Sequence, residues 1–390
     1  MPVGQKTEIL YLNHVSRMSG AEASLLSLLA HLDTGSYRPV VGVPEPGPLV
    51  QQLRAMDMEV VFLPHPRLAR SGNPLRLARQ ALALRRGAER IGAYITDYAV
   101  DLVHANSLSS ALAGARALGN GGALIWHVRD LRLPRLATRW LAPRAAAIIA
   151  ISDAVAKHLI DLDARAADKL RVIHNGVDTE AFAPRNSGQS IRRELGLPPE
   201  AVLMGGVGQL VPWKNWPRFL SVGADVAARV GNVHLAIVGA DLFRDRPHYQ
   251  EELSAFAEDL AIGRVTHFLG HRNDIAEVVS AFDVFVHCTE EEPLGRAVME
   301  AMALERPVVA VRSGGPAEII VDGESGLLAP PKNTYAIADR VVQVLKAPEL
   351  AGRLGKAARV RIETSFRPEQ TAKLVEQVYE DVLWQATAHR

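Results

Sequence analysis

The chain has 390 residues, of which 48% are hydrophobic, and a formal net charge of +1 at pH 7. This length is sufficient for two domains with separate cores, and the near-zero charge argues against a nucleic-acid partner. The single cysteine, Cys288, excludes an intrachain disulfide and fits a reducing compartment.

Short apolar runs alternate with amphipathic stretches along the whole chain. In the first half the predicted strands are Ile9–Leu12, Val40–Val43, Val60–Leu63, Leu102–His104, Leu124–Val128, Ala147–Ile151 and Val172–His174. In the second half they are Val202–Val207, His234–Val238, Val265–Leu269, Val284–His287, Val308–Val311 and Leu327–Leu328. This alternation predicts an α/β fold of two doubly wound, Rossmann-like parallel-sheet domains. Because such sheets bind ligands beyond the carboxyl ends of their strands, we expect the two domains to face each other across a cleft.

The boundary is predicted at residues 182–190, which are rich in Pro, Gly, Ser and Asn. The predicted domains are therefore residues 1–183 and 184–367. From Pro368 onward the sequence indicates a helix with no strand after it. The polar segment Gly4–Glu8 interrupts the apolar start, and no segment is apolar enough for a transmembrane helix. We expect a cytoplasmic protein, with peripheral contact at the membrane as a further expectation.

The first predicted strand leads through a loop to Gly20 and then to a helix. This turn lacks the G-x-G-x-x-G spacing of dinucleotide-binding proteins, so a hydride-transfer function loses its best support. A glycine between a strand and a helix allows the backbone to approach a phosphate or a sugar. A plain turn glycine is the alternative.

A strongly cationic helix is predicted to begin at Asn73-Pro74, an N-cap followed by proline. One predicted face carries four arginines, Arg76, Arg79, Arg86 and Arg90. The opposite face carries the apolar residues Leu77, Ala81, Leu84, Ala88 and Ile91. A basic amphipathic helix can lie on an anionic membrane surface. The alternative is an ordinary helix that packs its apolar face on a sheet and leaves its arginines in water.

Near the carboxyl end of the strand Leu124–Val128 lies His127, with Asp130 close enough in sequence to orient it. A structural histidine is the alternative. The D-x-D letters at Asp161 and Asp163 follow an apparent helix rather than a strand, and no cluster of His, Cys, Asp and Glu has metal-ligand spacing. We therefore expect neither a metal nor another cofactor.

In the second half, the loop after Val202–Val207 contains Gln209 and Lys214. A lysine just past a strand end can meet a diphosphate, although a lone loop lysine is often only solvated. Further along, Glu292 precedes a Pro-x-Gly turn, and Glu300 lies in the first turns of a predicted helix. Free N–H groups at a helix N-terminus attract phosphate, and carboxylates accept hydrogen bonds from hydroxyls. The combination suits a nucleotide-sugar, whereas solvated glutamates are the alternative.

The block from Glu290 to Pro331 continues with a strand, a Ser-Gly-Gly-Pro loop and the turn at Asp322-Gly323. In this order and spacing it resembles the donor-site signature of the retaining glycosyltransferases of family 4, which have the GT-B fold. The resemblance implies that Glu300 binds ribose hydroxyls and that Glu292 binds a hydroxyl of the donor sugar. It also implies that the helix start at Leu294, Gly295 and Arg296 contacts the donor.

The same resemblance assigns roles outside that block. Lys214 matches the lysine that neutralises the donor diphosphate, whereas Gln209 stands where an arginine is usual and brings no charge. His127 resembles the histidine that contacts the donor sugar near the reacting carbon. The segment that contains His271 resembles the edge of the donor-domain sheet that contacts the nucleotide base in this family. Gly20 corresponds to one of the two glycines that the family often has at the first strand-to-helix turn. The family also implies a C-terminal helix that packs back on the first domain.

These observations predict a retaining, metal-independent glycosyltransferase that moves a sugar from a nucleotide-sugar to a glycan or lipid-linked acceptor. Synthesis of cell-surface polysaccharide or glycolipid is the expected context. Two alternatives stay open at this point: a GT-B sugar-nucleotide epimerase, and a sugar-nucleotide-binding scaffold with a weakened active site. Gln209 is the feature that favours the scaffold.

Overall fold

A computed structural model describes residues 6–68, 72–119, 122–185, 187–242 and 246–388. The chain forms two compact units of similar size. The first comprises Met1–Gly176 together with Pro368–Arg390, and the second comprises Val177–Arg367. Within the described residues, every helix is too short or too polar to cross a membrane.

The first unit is built on a seven-stranded parallel sheet with the order β3-β2-β1-β4-β5-β6-β7. Its strands are β1 (Thr7–Leu12), β2 (Tyr37–Val43), β3 (Glu59–Phe62), β4 (Leu102–Ala105), β5 (Leu124–Val128), β6 (Ala147–Ala150) and β7 (Leu170–Val172). Its helices are α1 (Gly20–Ala30), α2 (Pro48–Ala55), α3 (Pro74–Asp97), α4 (Leu108–Leu118), α5 (Arg135–Leu141) and α6 (Asp153–Leu162). Short 3-10 helices span Ala142–Arg144 and Ala164–Lys169.

The second unit has a six-stranded parallel sheet with the order β10-β9-β8-β11-β12-β13. Its strands are β8 (Val202–Val207), β9 (Val233–Val238), β10 (Thr266–Gly270), β11 (Val284–His287), β12 (Val308–Val311) and β13 (Leu327–Ala329). Its helices are α7 (Gln189–Glu194), α8 (Trp216–Val230), α9 (Tyr249–Asp259), α10 (Ile275–Ser280), α11 (Arg296–Ala303), α12 (Pro316–Ile319), α13 (Thr334–Leu345) and α14 (Pro348–Ser365). Short 3-10 helices span Pro212–Lys214 and Gly263–Val265.

The last helix, α15 (Pro368–Ala388), belongs to the first unit. Its apolar face contributes Val375, Val378 and Val382 to the core that also contains Ile9 and Tyr11 of β1. These valines recur every three or four positions, so they lie along one face of the helix. Burial of that face attaches the C-terminus of the chain to its first strand.

The boundary between the units differs from the predicted one. It falls between Gly176 and Val177 rather than after residue 183. Hydrogen bonds explain the difference, because Val177 N donates to Phe366 O and Arg359 donates to Phe182 O within the second unit. The Pro- and Gly-rich segment is therefore part of the second unit.

Buried apolar strands form the centre of both sheets, as the sequence predicts, whereas the edge strands β3, β7 and β10 are partly exposed. Cys288 directly follows β11, is 4% exposed and belongs to the core of the second unit. Burial raises the pKa of this thiol to about 12, which keeps it protonated and unreactive at neutral pH.

Candidate active site

Each sheet has one point where the strand order reverses. In the second unit this point lies between β8 and β11, and in the first unit it lies between β1 and β4. Loops that follow the strands on either side of such a point diverge and leave a crevice at the carboxyl edge of the sheet. Lys214 follows β8 and Glu292 follows β11, so both lie at this edge of the second sheet.

The structure brings Lys214 and Glu292 together. Lys214 Nζ donates to Glu292 Oε2 over 2.5 Å, and His287 Nε2 lies 3.1 Å from the same oxygen. The side chains of Lys214, Glu292 and His287 are 13%, 8% and 5% exposed. Lys214 Nζ also lies 4.4 Å from the centroid of the Trp213 ring, within cation–π range. The result is a compact and largely dehydrated acid–base cluster.

Burial alone would raise the pKa of Glu292. The Lys214 ammonium and the contact with His287 overcome that effect and lower the pKa to about 2. Glu292 is therefore a carboxylate at any physiological pH. It can accept hydrogen bonds from hydroxyls but cannot serve as a proton donor.

The N-terminus of α11 lies directly after this cluster. Its N-cap is Gly295, whose φ of +99° is a left-handed conformation that favours glycine, and no side chain caps the helix. Arg296 Nε donates to Glu300 Oε1 over 2.7 Å, one turn along the helix. Glu300 is 8% exposed. The second predicted carboxylate is thus also buried and paired with an arginine.

A neighbouring loop fixes the position of this helix start. Gly315 N donates to Glu292 O over 2.9 Å. A Cβ atom on Gly315 would lie 2.2 Å from Leu294 Cα, so no larger residue fits without displacing the backbone. Leu294 itself is 3% exposed. The Ser-Gly-Gly-Pro motif therefore holds the Glu292 loop by close backbone contact.

The remaining predicted donor residues of the second unit, Gln209 and His271, follow β8 and β10. Gln209 is half-buried, and its carbonyl oxygen accepts from Trp216 Nε1 over 2.9 Å, which anchors the loop after β8. His271 is exposed and follows β10, the edge strand, which β9 separates from β8. His271 therefore lies at the predicted edge of the sheet but two strands away from Lys214.

In the first unit, His127 is fully buried near the end of β5. His127 Nδ1 lies 3.0 Å from His104 Nε2 and 3.3 Å from Arg129 Nη2. Among the described residues, no group is within hydrogen-bonding distance and geometry of His127 Nε2. Burial, Arg129 and His104 together hold the pKa of His127 well below its ordinary value, so the imidazole is neutral.

Asp130 does not orient His127, which corrects the sequence-based interpretation. Its carboxylate accepts from Arg132 N over 2.9 Å, and the residue is exposed. The physical reason is that Asp130 lies beyond the end of β5, in a turn that directs it toward its own backbone. His104 and Arg129 orient the ring instead.

The hydrogen-bond network continues from Arg129 toward the first loop. Arg129 Nε donates to Asn106 Oδ1 over 2.6 Å, and Asn106 Nδ2 donates to Asn13 Oδ1 over 3.0 Å. Asn13 in turn donates to Glu22 Oε1 over 3.0 Å. Glu22, 1% exposed, lies in the first turn of α1, which begins at Gly20. Sequence reasoning missed this network, although polar residues at the ends of β1 and β4 were a signal for it.

Helix α3 differs from the prediction in its packing. Its buried residues are Gly87, Ala88 and Ile91, whereas Leu77 is 47% exposed and Ala81 is exposed as well. The reason is that α4 and the chain at His65 cover only the C-terminal half of α3, where Gly87 and Gly92 allow close contact. The four predicted arginines are all exposed: Arg76, Arg79, Arg86 and Arg90.

Comparisons with known proteins agree with this architecture. Residues 188–361 match the model of the family described as Glycosyl transferases group 1, and residues 18–181 match Glycosyltransferase Family 4. The chain is 31% identical over 317 residues to the sulfoquinovosyl transferase SQD2 of Arabidopsis thaliana, covering 76% of this chain and 59% of that protein. It is 27% identical over 334 residues to the D-inositol 3-phosphate glycosyltransferase of Saccharomonospora viridis, covering 79% and 76%.

Among solved structures, HepE from Anabaena in complex with UDP-glucose aligns with a TM-score of 0.81 and 23% identity, covering 96% of this chain and 99% of HepE. The fold is therefore GT-B, and the predicted fold class is confirmed. The match spans only part of some of these relatives. It spans 59% of the Arabidopsis protein and 54% of the N-acetyl-alpha-D-glucosaminyl L-malate synthase of Bacillus anthracis.

Proposed function

Because the chain belongs to the glycosyltransferases of family 4, the glycosyl transferases group 1, we propose that it transfers a sugar from a nucleotide-sugar to a glycan or lipid-linked acceptor. The observation that carries the proposal is the cluster of Lys214, Glu292 and His287 beside the uncapped start of α11. It combines an ammonium group for a diphosphate with a carboxylate for hydroxyls. HepE, which shares the fold, was crystallised with UDP-glucose, and this supports the same class of donor here.

The cluster can bind both parts of the donor without losing its internal pair. An ammonium has three N–H donors, so Lys214 can keep its hydrogen bond to Glu292 and still donate to a phosphate oxygen. Lys214 and His287 both contact Oε2 of Glu292, and we assign Oε1 to a hydroxyl of the donor sugar. In the same way Arg296 contacts Oε1 of Glu300, and we assign Oε2 to the ribose hydroxyls.

We propose that the new bond keeps the configuration of the donor. The bond between the anomeric carbon and the diphosphate oxygen breaks, and the acceptor oxygen attacks the same face. The proton of the acceptor hydroxyl passes to the departing phosphate oxygen. Lys214 and the N–H groups of α11 stabilise the negative charge that develops on this leaving group. This route needs no protein nucleophile.

The proposal does not require a metal ion. Asp161 and Asp163 have the D-x-D spacing of some metal-binding pairs. However, Asp163 is the C-cap of α6, and its Oδ1 accepts a hydrogen bond from Arg165 Nε over 2.9 Å. The Arg165 guanidinium keeps the pKa of Asp163 below its ordinary value. This supports a structural role for Asp163, and we assign neutralisation of the diphosphate to Lys214 and α11.

A thermal-shift screen of UDP-, GDP- and ADP-sugars tests the donor class, because a ligand that binds the native state raises its stability. We expect one of these nucleotide-sugars to raise the unfolding temperature and to be hydrolysed slowly without an acceptor. Lys214→Met should abolish both effects. The exposed-site control Lys356→Met should keep them. If no nucleotide-sugar stabilises the wild-type protein, the proposed function is wrong, whereas stabilisation without hydrolysis or transfer would favour the scaffold alternative.

We further propose that α3 binds an anionic membrane and so brings the enzyme to a lipid-linked acceptor. The N-terminal half of this helix exposes Leu75 by 71% and Leu82 by 49%. These leucines are seven positions apart, and Arg79 and Arg86 each follow one of them by four, so all four lie on one face. Leucines inserted among acyl chains with arginines at the headgroups are typical of interfacial helices.

Sedimentation with liposomes containing anionic phosphatidylglycerol tests this contact. We expect salt-sensitive binding that is lost in the Leu75→Ser/Leu82→Ser variant and kept in Leu374→Ser, which changes a leucine of α15 that is 44% exposed. If the wild-type protein stays in the supernatant at low salt, α3 is an ordinary solvated helix.

A further inference from the structure

Four aromatic side chains of the first unit form a continuous buried chain of hydrogen bonds. Tyr11 Oη lies 2.7 Å from Tyr379 Oη, and Tyr379 Oη lies 2.8 Å from His104 Nδ1. His104 Nε2 lies 3.0 Å from His127 Nδ1. Each of the four residues is fully buried. These hydrogen bonds therefore run from β1 through helix α15 and β4 to the predicted active-site histidine on β5.

Arg129 fixes the direction of every hydrogen bond in this chain. A guanidinium can only donate, so the contact of Arg129 Nη2 makes His127 Nδ1 an acceptor. His104 Nε2 must then carry the proton that it donates to the same atom. A neutral imidazole has one N–H, so His104 Nδ1 is an acceptor and Tyr379 O–H donates to it. Tyr11 in turn donates to the Tyr379 oxygen.

The direction of the chain decides which nitrogen of His127 carries its proton. Because Nδ1 accepts, the proton lies on Nε2. Within the residues that the structure describes, Nε2 has no acceptor. A buried N–H group without an acceptor is costly, and a catalytic role is one explanation for such a group. The depressed pKa values of His104, about 3, and of His127 agree with two neutral rings held by burial and by Arg129.

We propose that Arg129 and His104 hold His127 as the Nε2–H tautomer, so that His127 donates a hydrogen bond to a substrate oxygen and does not act as a base. Tyr379 is a positioning residue that holds the His104 ring through Nδ1. The proposal rests on the proposed transferase function for its substrate, but the tautomer itself depends on geometry alone. It gives α15 a part in the active site, since Tyr379 lies 275 positions from His104 in the sequence. Loss of the Tyr379 hydroxyl leaves the ring packing intact but frees His104 Nδ1 from its donor.

NMR spectroscopy of 15N-histidine-labelled protein tests the tautomer without any assay of activity. We expect long-range proton–nitrogen spectra to show Nε2–H tautomers for His104 and His127, with assignments from the His104→Asn and His127→Gln variants. In Tyr379→Phe we expect both rings to remain Nε2–H, because Arg129 still donates to His127 Nδ1. In Arg129→Leu we expect both rings to populate two tautomers. A wild-type His127 with its proton on Nδ1 would overturn the proposal, whatever the catalytic activity.

Kinetics then test the positioning role. Tyr379→Phe should lower kcat about ten-fold and change KM for the donor less than two-fold. The control is Tyr37→Phe. Tyr37 is 6% exposed and packs edge-on against the Tyr379 ring at 5.5 Å, but its hydroxyl is not part of the series of hydrogen bonds from Tyr11 to His127. We expect the control to keep wild-type kcat. Equal losses in the two variants, or a loss in Tyr379→Phe that follows a lower unfolding temperature, would show a merely structural role.

Substitution of His127 separates a hydrogen-bond donor from a base. Glutamine can donate from its amide nitrogen but cannot take up a proton. We therefore expect His127→Gln to retain part of the turnover that His127→Leu loses. If both variants are equally inactive while folded, the donor role is wrong. If the wild-type protein transfers no sugar, the proposed function fails, and the NMR result still stands or falls separately.

Discussion

Replacing Glu292 with glutamine tests how strongly the buried acid–base cluster is held together. The substitution keeps the shape of the side chain but leaves the Lys214 ammonium, 13% exposed, without its counter-charge. In the folded protein the pKa of Glu292 is about 2, against 4.5 for an ordinary glutamate. At about 1.4 kcal/mol per pKa unit, this difference corresponds to about 3 kcal/mol of stability at neutral pH. Removal of one partner from other buried ion pairs costs a similar amount, about 3–5 kcal/mol.

The sign of the pH dependence follows from the lowered pKa. Because the folded state binds this proton more weakly than the unfolded state, the contribution of Glu292 is complete above about pH 5. It is lost as the pH falls toward 2. The difference in unfolding free energy between wild type and Glu292→Gln should therefore be about 3 kcal/mol at pH 7 and should shrink steadily below pH 5.

Urea unfolding at several pH values measures this difference, and hydrogen exchange of peptides from β8 and β11 assigns it to the second unit. Lys214→Met should be similarly destabilised, and the double variant should lose less than the sum of the two single losses. Asp339→Asn serves as the control, because the Arg229–Asp339 pair is a surface pair whose aspartate is 65% exposed. A cost that is the same at pH 7 and pH 3, or single losses that simply add, would refute the reasoning.

Three further outcomes are expected. Titration calorimetry of Glu300→Ala should show a Kd for the stabilising nucleotide-sugar that is at least ten-fold higher, since a charged hydrogen-bond partner contributes about 1.5–3 kcal/mol. The control Glu200→Ala, at an exposed position, should leave the Kd unchanged. An unaltered Kd in both variants would show that Glu300 does not bind the donor. EDTA treatment should change the transfer rate less than two-fold, and restoration of activity by added Mg²⁺ or Mn²⁺ would contradict the metal-independent route. Gly315→Ala should displace the Glu292 loop, because its Cβ would lie 2.2 Å from Leu294 Cα. Donor affinity should fall together with the unfolding temperature, and wild-type affinity would show that the loop tolerates the side chain.

Much of the fold could be predicted because of how parallel sheets bury their strands. Strands covered on both faces appear as short, continuous apolar runs. The predicted runs Leu124–Val128, Val202–Val207 and Val308–Val311 coincide with β5, β8 and β12. Helix starts could also be predicted where an N-cap residue specifies them. Asn73 is an example, because its side chain accepts a hydrogen bond from Leu75 N over 2.9 Å.

The contacts between helices and strands were harder to predict from the sequence. Helix α3 has a regular amphipathic pattern, but the pattern cannot show that its partners end before the helix does. Leu77 therefore belongs to the predicted core face and is nevertheless exposed. Asp130 was the nearest carboxylate to His127 in the sequence, yet the ring is oriented by groups on another strand and on its own loop.

The sequence by itself determined the two parallel sheets and the acids, lysine and histidine at the ends of their strands. Those features depend on local periodicity and on residue types that follow a strand, and neighbouring residues specify both. Only the tertiary structure decided which side chains meet: Lys214 with Glu292 across 78 positions, and His104 with Tyr379 across 275. Contacts of this kind depend on strand order and on the packing of a distant helix, and no pattern within a single segment records them.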